Sequence, residues 1–185
     1  MEAKQRRVLG ICGSLRQGSA NRLFLEALAQ VAPQEIKFQL FGGLGELPFF
    51  NPDLDPEGGS PPVEVQELRR QLAEADAVVI ATPEIVHGPP GLLKNAIDWA
   101  VSSGSFSAKP VVLVTVSAGP GEQAQAILSH TLEVLEAKVV HRLSLHSGKV
   151  RRSLDQNHRS LTDELTRSLE QLWVALAEAW VPLES

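Results

Sequence analysis

A short stretch near the start of the chain has the residue types of an anion-binding loop. An apolar run at residues 8–12 ends at Gly13, and Ser14, Arg16, Ser19 and Asn21 follow, directly before a predicted amphipathic helix. A loop at a helix N-terminus points backbone N–H groups at an anion, and the helix dipole favours negative charge there. Because arginine adds charge-assisted, often bidentate hydrogen bonds, the stretch predicts a site for a phosphate monoester.

Other phosphate loops fit this stretch less well. The glycines lack the G-x-G-x-x-G spacing of a dinucleotide fold, and no acidic residue ends the second predicted strand. Gly13 to Gly18 has the span of a Walker A loop, but Ser19 and Ala20 stand where its Lys-Ser/Thr pair belongs. A plain turn, with Ser19 or Asn21 capping the helix, remains the simpler alternative.

Two further loops carry residue types suited to a flat polar ring. Residues 82–91 contain adjacent prolines, which give the backbone a stiff path, and a histidine, His87, that falls in the predicted crevice. Residues 117–121 read Ser-Ala-Gly-Pro-Gly, and side chains this small let an aromatic ring approach the backbone closely. A glycine-rich helix start is the alternative explanation for the latter.

Strand and helix patterns alternate five times along the chain, which predicts an α/β fold with a parallel sheet. Strands are predicted at residues 7–12, 36–41, 77–81, 110–117 and 139–145, and the last helix at 161–180. Right-handed crossovers favour the order 2-1-3-4-5, a flavodoxin-like three-layer sandwich with helices on both faces, as one domain over residues 1–185. Ligands bind such sheets beyond the carboxyl ends of the strands, so the three loops should converge.

The composition limits the classes of partner that we expect for this protein. A net charge of −5 argues against nucleic acid and anionic lipid, and no apolar run approaches the ~18 residues of a membrane helix. The single cysteine, Cys12, excludes an intrachain disulfide and is expected to be a small buried thiol, so we predict a cytoplasmic protein. The five histidines lack metal-ligand spacing, and no metal is predicted.

The three loops together resemble one enzyme family. Gly13-Ser-Leu-Arg-x-x-Ser-x-Asn21, Thr82-Pro-Glu84 followed by Pro90-Gly-x-Leu-Lys-Asn-Ala-Ile-Asp-Trp99, and Ser117-x-Gly119 are similar to three motifs of the NADPH-dependent FMN reductases. That family includes quinone, azo-dye and chromate reductases. The likeness runs from about residue 8 to residue 135, and it implies FMN as cofactor and NADPH or NADH as co-substrate.

The resemblance also assigns roles to residues of the three loops. The FMN phosphate would be bound by the first loop, through Ser14, Leu15, Arg16, Ser19 and Asn21. The isoalloxazine would be lined by the backbone of the second loop, at Pro83, Glu84, Ile85, Val86 and His87. Its pyrimidine side would meet the third loop, at Ser117, Ala118 and Gly119. Members of the family are commonly dimers or tetramers, which implies a homo-oligomer.

The implied activity is oxidoreduction by a ping-pong cycle. Hydride would pass from NADPH through flavin N5 to a quinone-like, azo or other small acceptor, or to free flavin, with no catalytic side chain required. The basic stretch 146–160 is expected to be a loop, either solvated or meeting the 2′-phosphate of NADPH. The family usually has Tyr-Asn where this chain has Ile85-Val86, which favours the alternative of a flavodoxin-like module that binds FMN or another phosphate ligand without turnover.

Overall fold

Five parallel strands form one sheet in the order β2-β1-β3-β4-β5, which confirms the predicted flavodoxin-like topology. The computed structural model describes residues 5–153 and 162–180. The strands are β1 (Arg6–Cys12), β2 (Ile36–Phe41), β3 (Ala77–Thr82), β4 (Pro110–Ser117) and β5 (Lys138–His146). The order reverses at β1, which pairs with β2 on one side and with β3 on the other.

Helices cover both faces of the sheet. They are α1 (Ala20–Gln30), α2 (Val63–Glu74), α3 (Gly91–Ala100), α4 (Glu122–Val134), α5 (Ser147–Arg152) and α6 (Asp163–Trp180). The apolar sides of α2, α3 and α4 share one core with the sheet, and those of α1, α5 and α6 share the other. Within the described ranges, no helix is long and apolar enough to cross a membrane.

Two interior strands, β3 and β4, are buried along their whole length, because helices cover both of their faces. The edge strand β5 has alternating exposed and half-buried residues over most of its length, as expected of a strand with one covered face. Because β1, β3 and β4 are neighbours in the parallel sheet, their carboxyl ends lie side by side at one edge. The three candidate loops begin there.

Most predicted boundaries agree with the structure to within two residues, and one stretch differs. Residues 147–152, predicted as part of a basic loop, form helix α5, and its Val150 is buried in the core beside α1. His146 caps this helix, since its Nδ1 accepts a hydrogen bond from Gly148 N–H at 3.1 Å. The rest of that predicted loop, residues 154–160, and the predicted start of the last helix at residue 161 lie outside the described residues.

The long Gly/Pro-rich connection after β2 is held in place by α2 and α3. Pro48 O accepts hydrogen bonds from Trp99 Nε1 (2.8 Å) and Asn95 Nδ2 (3.0 Å). Further along, both carboxylate oxygens of Asp55 pair with the guanidinium of Arg69 at 2.9 and 2.6 Å. The connection is therefore ordered by specific side chains, although it contains only one turn of 3₁₀ helix, Pro52–Leu54.

Candidate functional site

The first loop begins where β1 contacts β3. Gly13 N–H donates to Ala81 O at 2.8 Å. A Cβ at Gly13 would lie 2.4 Å from Thr82 Oγ1, a distance that no real Cβ contact has. The first and second candidate loops therefore start side by side, as the sequence predicts, and only glycine at position 13 leaves room for Thr82.

A cleft of about 350 Å³ opens between this loop and the end of β2. It is lined by Cys12, Ser14, Leu15, Arg16, Gln17, Gly18, Arg22, Phe41, Gly42 and Leu44. The backbone N–H groups of Ser14, Leu15, Gln17 and Gly18 form no hydrogen bond within the described part of the chain. The volume lies at the lower end of the range for small-molecule sites, and free N–H groups beside a helix start suit an anion.

Two arginines reach this cleft, and they differ in their partners. Arg22 Nε pairs with Glu26 Oε1 at 2.8 Å along α1. Arg16 is exposed and forms no ion pair among the residues that the structure describes. Arg16 is therefore the cation best placed to meet an incoming anion.

The Leu15 side chain joins the first loop to the connection after β2. It contacts Gly45, where an added Cβ would lie 3.0 Å from a Leu15 methyl carbon.

Ser19 and Asn21, both predicted to bind phosphate, are buried and bonded within the protein. Ser19 is the N-cap of α1, and its Oγ accepts from Asn21 N–H at 3.3 Å. The Asn21 side chain reaches β4, where Nδ2 donates to Val116 O at 3.1 Å. Asn21 Oδ1 is buried and has no hydrogen-bond partner among the described residues. These two side chains shape the loop from beneath, and neither lines the cleft.

Cys12 lines the cleft at the end of β1 as a half-buried thiol. Its Sγ donates to Ser14 O at 3.4 Å. Burial raises the pKa of this thiol above its ordinary value, against a smaller opposite effect from the Ser14 hydrogen bond. The thiol is therefore protonated at neutral pH, which agrees with a packing role.

The second loop ends in a tight, protruding turn. Ile85 N–H donates to Gly88 O at 2.8 Å, and Gly88 N–H donates back to Ile85 O at 3.0 Å. The two residues between them, Val86 and His87, have φ of +49° and +57°. Val86 is 93% exposed, so a β-branched residue adopts a left-handed conformation without burial to compensate. Strain of this kind is typical of functional loops.

The third loop is exposed between two buried anchors. Ser117 is buried at the end of β4, and its Oγ accepts from Glu84 N–H at 2.5 Å. Ala118 and Gly119 are exposed, as is the proline after them. Gly121 then starts α4 with φ of +77°, packed against Thr115, where a Cβ would lie 2.3 Å from Oγ1. The exposed residues of this loop thus have a backbone that is fixed at both ends.

Glu84 and Pro83 belong to the second loop, and Glu84 connects that loop to the helix that follows the third. The Glu84 carboxylate accepts from the N–H groups of Gln123 (2.9 Å) and Ala124 (3.0 Å), and it lies 3.8 Å from His87 Nδ1. Pro83 is half-buried and accepts from the hydroxyl of Thr82 through its main-chain oxygen at 3.1 Å. The start of α4 is therefore occupied by a carboxylate of the chain, whereas the start of α1 has only the neutral hydroxyl cap of Ser19 and lies beside the cleft.

Several functional residues carried no signal of their role in the sequence. Asn95 and Trp99 belong to the second motif, yet what they do is fix the connection after β2, which lines one side of the cleft. The clamp formed by the Glu84 carboxylate was likewise not predicted, since the resemblance assigned only its backbone. Across residues 5–153 and 162–180, no group of three His, Cys, Asp or Glu side chains could hold a metal ion.

The chain matches known proteins over most of its length. Residues 6–151 match the family model of NADPH-dependent FMN reductases. An NAD(P)H-dependent FMN reductase of Pseudomonas aeruginosa is 34% identical over 179 residues, 95% of each chain. A quinone reductase of Escherichia coli is 32% identical over 163 residues, 86% of each. The solved flavoenzyme NAD(P)H:(acceptor) oxidoreductase of Paracoccus denitrificans, 26% identical, superposes with a TM-score of 0.76 over 94% of this chain and 96% of its own.

Proposed function

Since the chain belongs to the NADPH-dependent FMN reductase family, we propose that it binds FMN across its three loops and uses NADPH to reduce a quinone-like or similar small acceptor. The observation that carries this proposal is the open cleft at the start of α1. Among the residues that the structure describes, the N–H groups of Ser14, Leu15, Gln17 and Gly18 have no acceptor and Arg16 forms no ion pair. The cleft lies at the same sheet edge as the two other loops.

The phosphate end of FMN fits the first loop by the chemistry of its donors. We assign the phosphate to the backbone N–H groups of Ser14, Leu15, Gln17 and Gly18, with the side chains of Ser14 and Arg16 as further donors. Ser19 and Asn21 support that backbone from below, through the helix cap and the bond to Val116. A dianion at this place is stabilised by the α1 dipole and by hydrogen bonds that no group of the described chain already uses.

The ring end of FMN fits the surface between the second and third loops. We assign it to the backbone of residues 83–87 on one side and to Ser117, Ala118 and Gly119 on the other. Ala118 and Gly119 are exposed and small, which permits close approach of a flat ring. The strained turn at Val86 and His87 would hold its backbone groups in one fixed direction.

These assignments separate the chemistry of the cofactor from the roles of the chain. FMN held by these residues would supply the redox chemistry, the transfer of a hydride from NADPH to the acceptor. The chain binds the phosphate, orients the ring through its two loops, and leaves the protruding turn 85–88 accessible to both substrates. Because NADPH and the acceptor would use the same accessible surface in turn, we propose ping-pong kinetics with no side-chain acid or base. We also propose a homo-oligomer, which sedimentation would test.

Absorption spectroscopy of the purified protein tests the proposal directly. We expect the spectrum of oxidised flavin, bleaching when NADPH is added without oxygen, and recovery of colour when a benzoquinone is then supplied. Steady-state NADPH oxidation with the quinone should give parallel lines in double-reciprocal plots. A protein that binds FMN but shows no turnover would instead support a binding or sensing module, and a protein that takes up no FMN on titration would refute the proposal.

A further inference from the structure

A single residue, Glu84, connects the second loop to both ends of the third. Its main-chain N–H donates to Ser117 Oγ, 2.5 Å away at the end of β4. Its Oε2 accepts from the N–H groups of Gln123 at 2.9 Å and Ala124 at 3.0 Å, in the first turn of α4. The exposed residues 118–120 lie between these two attachment points, so Glu84 fixes the third loop at its beginning and at its end.

Helix α4 depends on this carboxylate because it has no cap of its own. Its N-cap residue, Gly121, has no side chain and no capping hydrogen bond. The N–H groups of a first helical turn need acceptors and carry the positive end of the helix dipole. The Glu84 side chain, only 12% exposed, supplies a negative acceptor from a position 39 residues earlier in the chain than Gln123.

We propose that Glu84 is a positioning residue for the flavin ring, holding residues 118–120 opposite the turn 85–88 while its carboxylate fills the anion position at the start of α4. The inference rests on the proposed function, because that function assigns the ring to the surface between these two loops. It follows that the ring half of the site depends on Glu84 and the phosphate half does not. It also follows that a ligand phosphate is excluded from the start of α4, since α4 already has its anion.

Comparison of two flavins separates the two halves of the site. Riboflavin has the ring without the phosphate, so Glu84→Ala should raise the Kd of FMN and of riboflavin by the same factor, about tenfold or more. Glu84→Gln, which keeps one acceptor oxygen without the charge, should give a smaller increase in both. Arg16→Ala should raise the Kd of FMN alone. Fluorescence titration of the full chain, freed of flavin, measures all of these constants.

Glu122→Ala is the matched control for the loss of charge. Glu122 is an exposed carboxylate in the same helical turn, and it forms no hydrogen bond or ion pair among the described residues. Its removal should leave the Kd of both flavins unchanged. If Glu122→Ala lost as much riboflavin affinity as Glu84→Ala, net charge near α4, rather than the clamp, would govern binding of the ring, and the inference would be overturned.

Chemical rescue distinguishes loss of the carboxylate from a general loss of structure in Glu84→Ala. Formate or acetate can occupy the vacated anion position in Glu84→Ala, so either salt should restore riboflavin affinity, whereas chloride at equal ionic strength should not. Amide hydrogen exchange at Gln123 and Ala124, measured without flavin, should accelerate in Glu84→Ala and slow again with formate. These exchange rates report the clamp independently of any flavin.

The outcomes distinguish the inference from the proposed function. A wild-type chain that binds no flavin would overturn the proposed function and, with it, the ring assignment. A wild-type chain that binds FMN, while Glu84→Ala and Glu84→Gln both keep wild-type riboflavin affinity, would overturn the inference alone. So would a Glu84→Ala protein that loses affinity for FMN but none for riboflavin.

Discussion

The side-chain amide of Asn21 donates a hydrogen bond to the main-chain oxygen of Val116, 3.1 Å away. This bond joins the first turn of α1 to the end of β4, and the next residue along β4, Ser117, is bonded in turn to Glu84. The first loop, the second loop and the third loop are therefore connected through β4 by two buried side chains. These buried hydrogen bonds hold the three loops of the candidate site together.

Asn21→Ala should destabilise the protein, because it removes the donor that joins α1 to β4. We expect the free energy of unfolding to fall by about 0.5–1.5 kcal/mol, as for other buried hydrogen bonds. Urea denaturation measures the change, and FMN affinity should fall with it as the loop loosens. Gln17→Ala is the control, because the Gln17 side chain is exposed and forms no hydrogen bond within the described residues. Equal stability of both variants would contradict the prediction.

Arg16→Ala should weaken the binding of FMN specifically. Loss of a charge-assisted bond to phosphate is expected to cost roughly 1.5–3 kcal/mol of binding free energy, and riboflavin affinity should stay unchanged. Arg22→Ala is the matched control, because that guanidinium lines the same cleft but is already paired with Glu26. If Arg22→Ala has the larger effect on FMN, the phosphate does not lie where the open guanidinium indicates.

Gly13→Ala should disturb the origin of the first two loops. The added methyl would lie 2.4 Å from Thr82 Oγ1 in a buried position, and overpacking of this kind typically costs about 1–3 kcal/mol of stability. Gly91→Ala is the control, because its Cβ would have no atom within 4 Å and α3 begins there. Thermal unfolding should show a clear loss for Gly13→Ala, and equal or higher stability for Gly91→Ala.

Much of this arrangement follows from local sequence signals. The short apolar runs at 77–81 and 111–114 are typical of strands covered on both faces, and right-handed crossovers between alternating strands and helices favour the observed sheet order. Parallel strands bring their carboxyl ends to one edge, so the convergence of three loops follows from element order alone. Gly13 was predicted as the break after β1, although its partner Thr82 was not.

The remaining features depend on contacts between distant parts of the chain. Helix α5 has a glycine and three basic residues in six, a weak local signal, and it forms where Val150 is buried beside α1. The carboxylate of Glu84 finds its partners 39 and 40 residues later, which no spacing rule anticipates. Ser19 and Asn21 have the residue types of a phosphate loop, and their burial and their bonds within the protein do not follow from residue type.

Acid should weaken the attachment of the connection after β2. The paired guanidinium of Arg69 first, and the hydroxyl of Ser102 second, lower the pKa of Asp55 from its ordinary value of 3.8 to about 2. A carboxylate whose pKa is lowered on folding stabilises the protein above its unfolded pKa, so this contribution is present above about pH 4 and is lost as pH falls towards about 2.

Asp55→Asn tests this dependence by urea denaturation across that pH range. The variant should be less stable than the wild type at neutral pH and should lose less stability between about pH 4 and pH 2, so that the two curves approach each other in acid. Asp53→Asn, on the same connection, is the control: Asp53 forms no ion pair among the described residues, and its curve should run parallel to that of the wild type. Parallel curves for Asp55→Asn would contradict the assignment.

Val86→Asn should make the protein more stable, although it replaces an apolar residue. Val86 has φ of +49°, and a left-handed backbone costs most L-residues about 1–2 kcal/mol, whereas asparagine tolerates it well. The side chain is 93% exposed, so little packing is lost, and a gain of about 1 kcal/mol is expected in the free energy of unfolding. Ile85→Asn, one residue earlier and without positive φ, should give no such gain.

The same variant separates strain from side-chain chemistry in the second loop. If the turn 85–88 meets the ring through its backbone, Val86→Asn keeps that backbone and should leave the Kd of FMN unchanged while the protein gains stability. A substantial gain in FMN affinity would instead assign the family's asparagine a direct side-chain contact that this chain lacks. A variant no more stable than Ile85→Asn would show that the left-handed conformation of Val86 carries no strain to relieve.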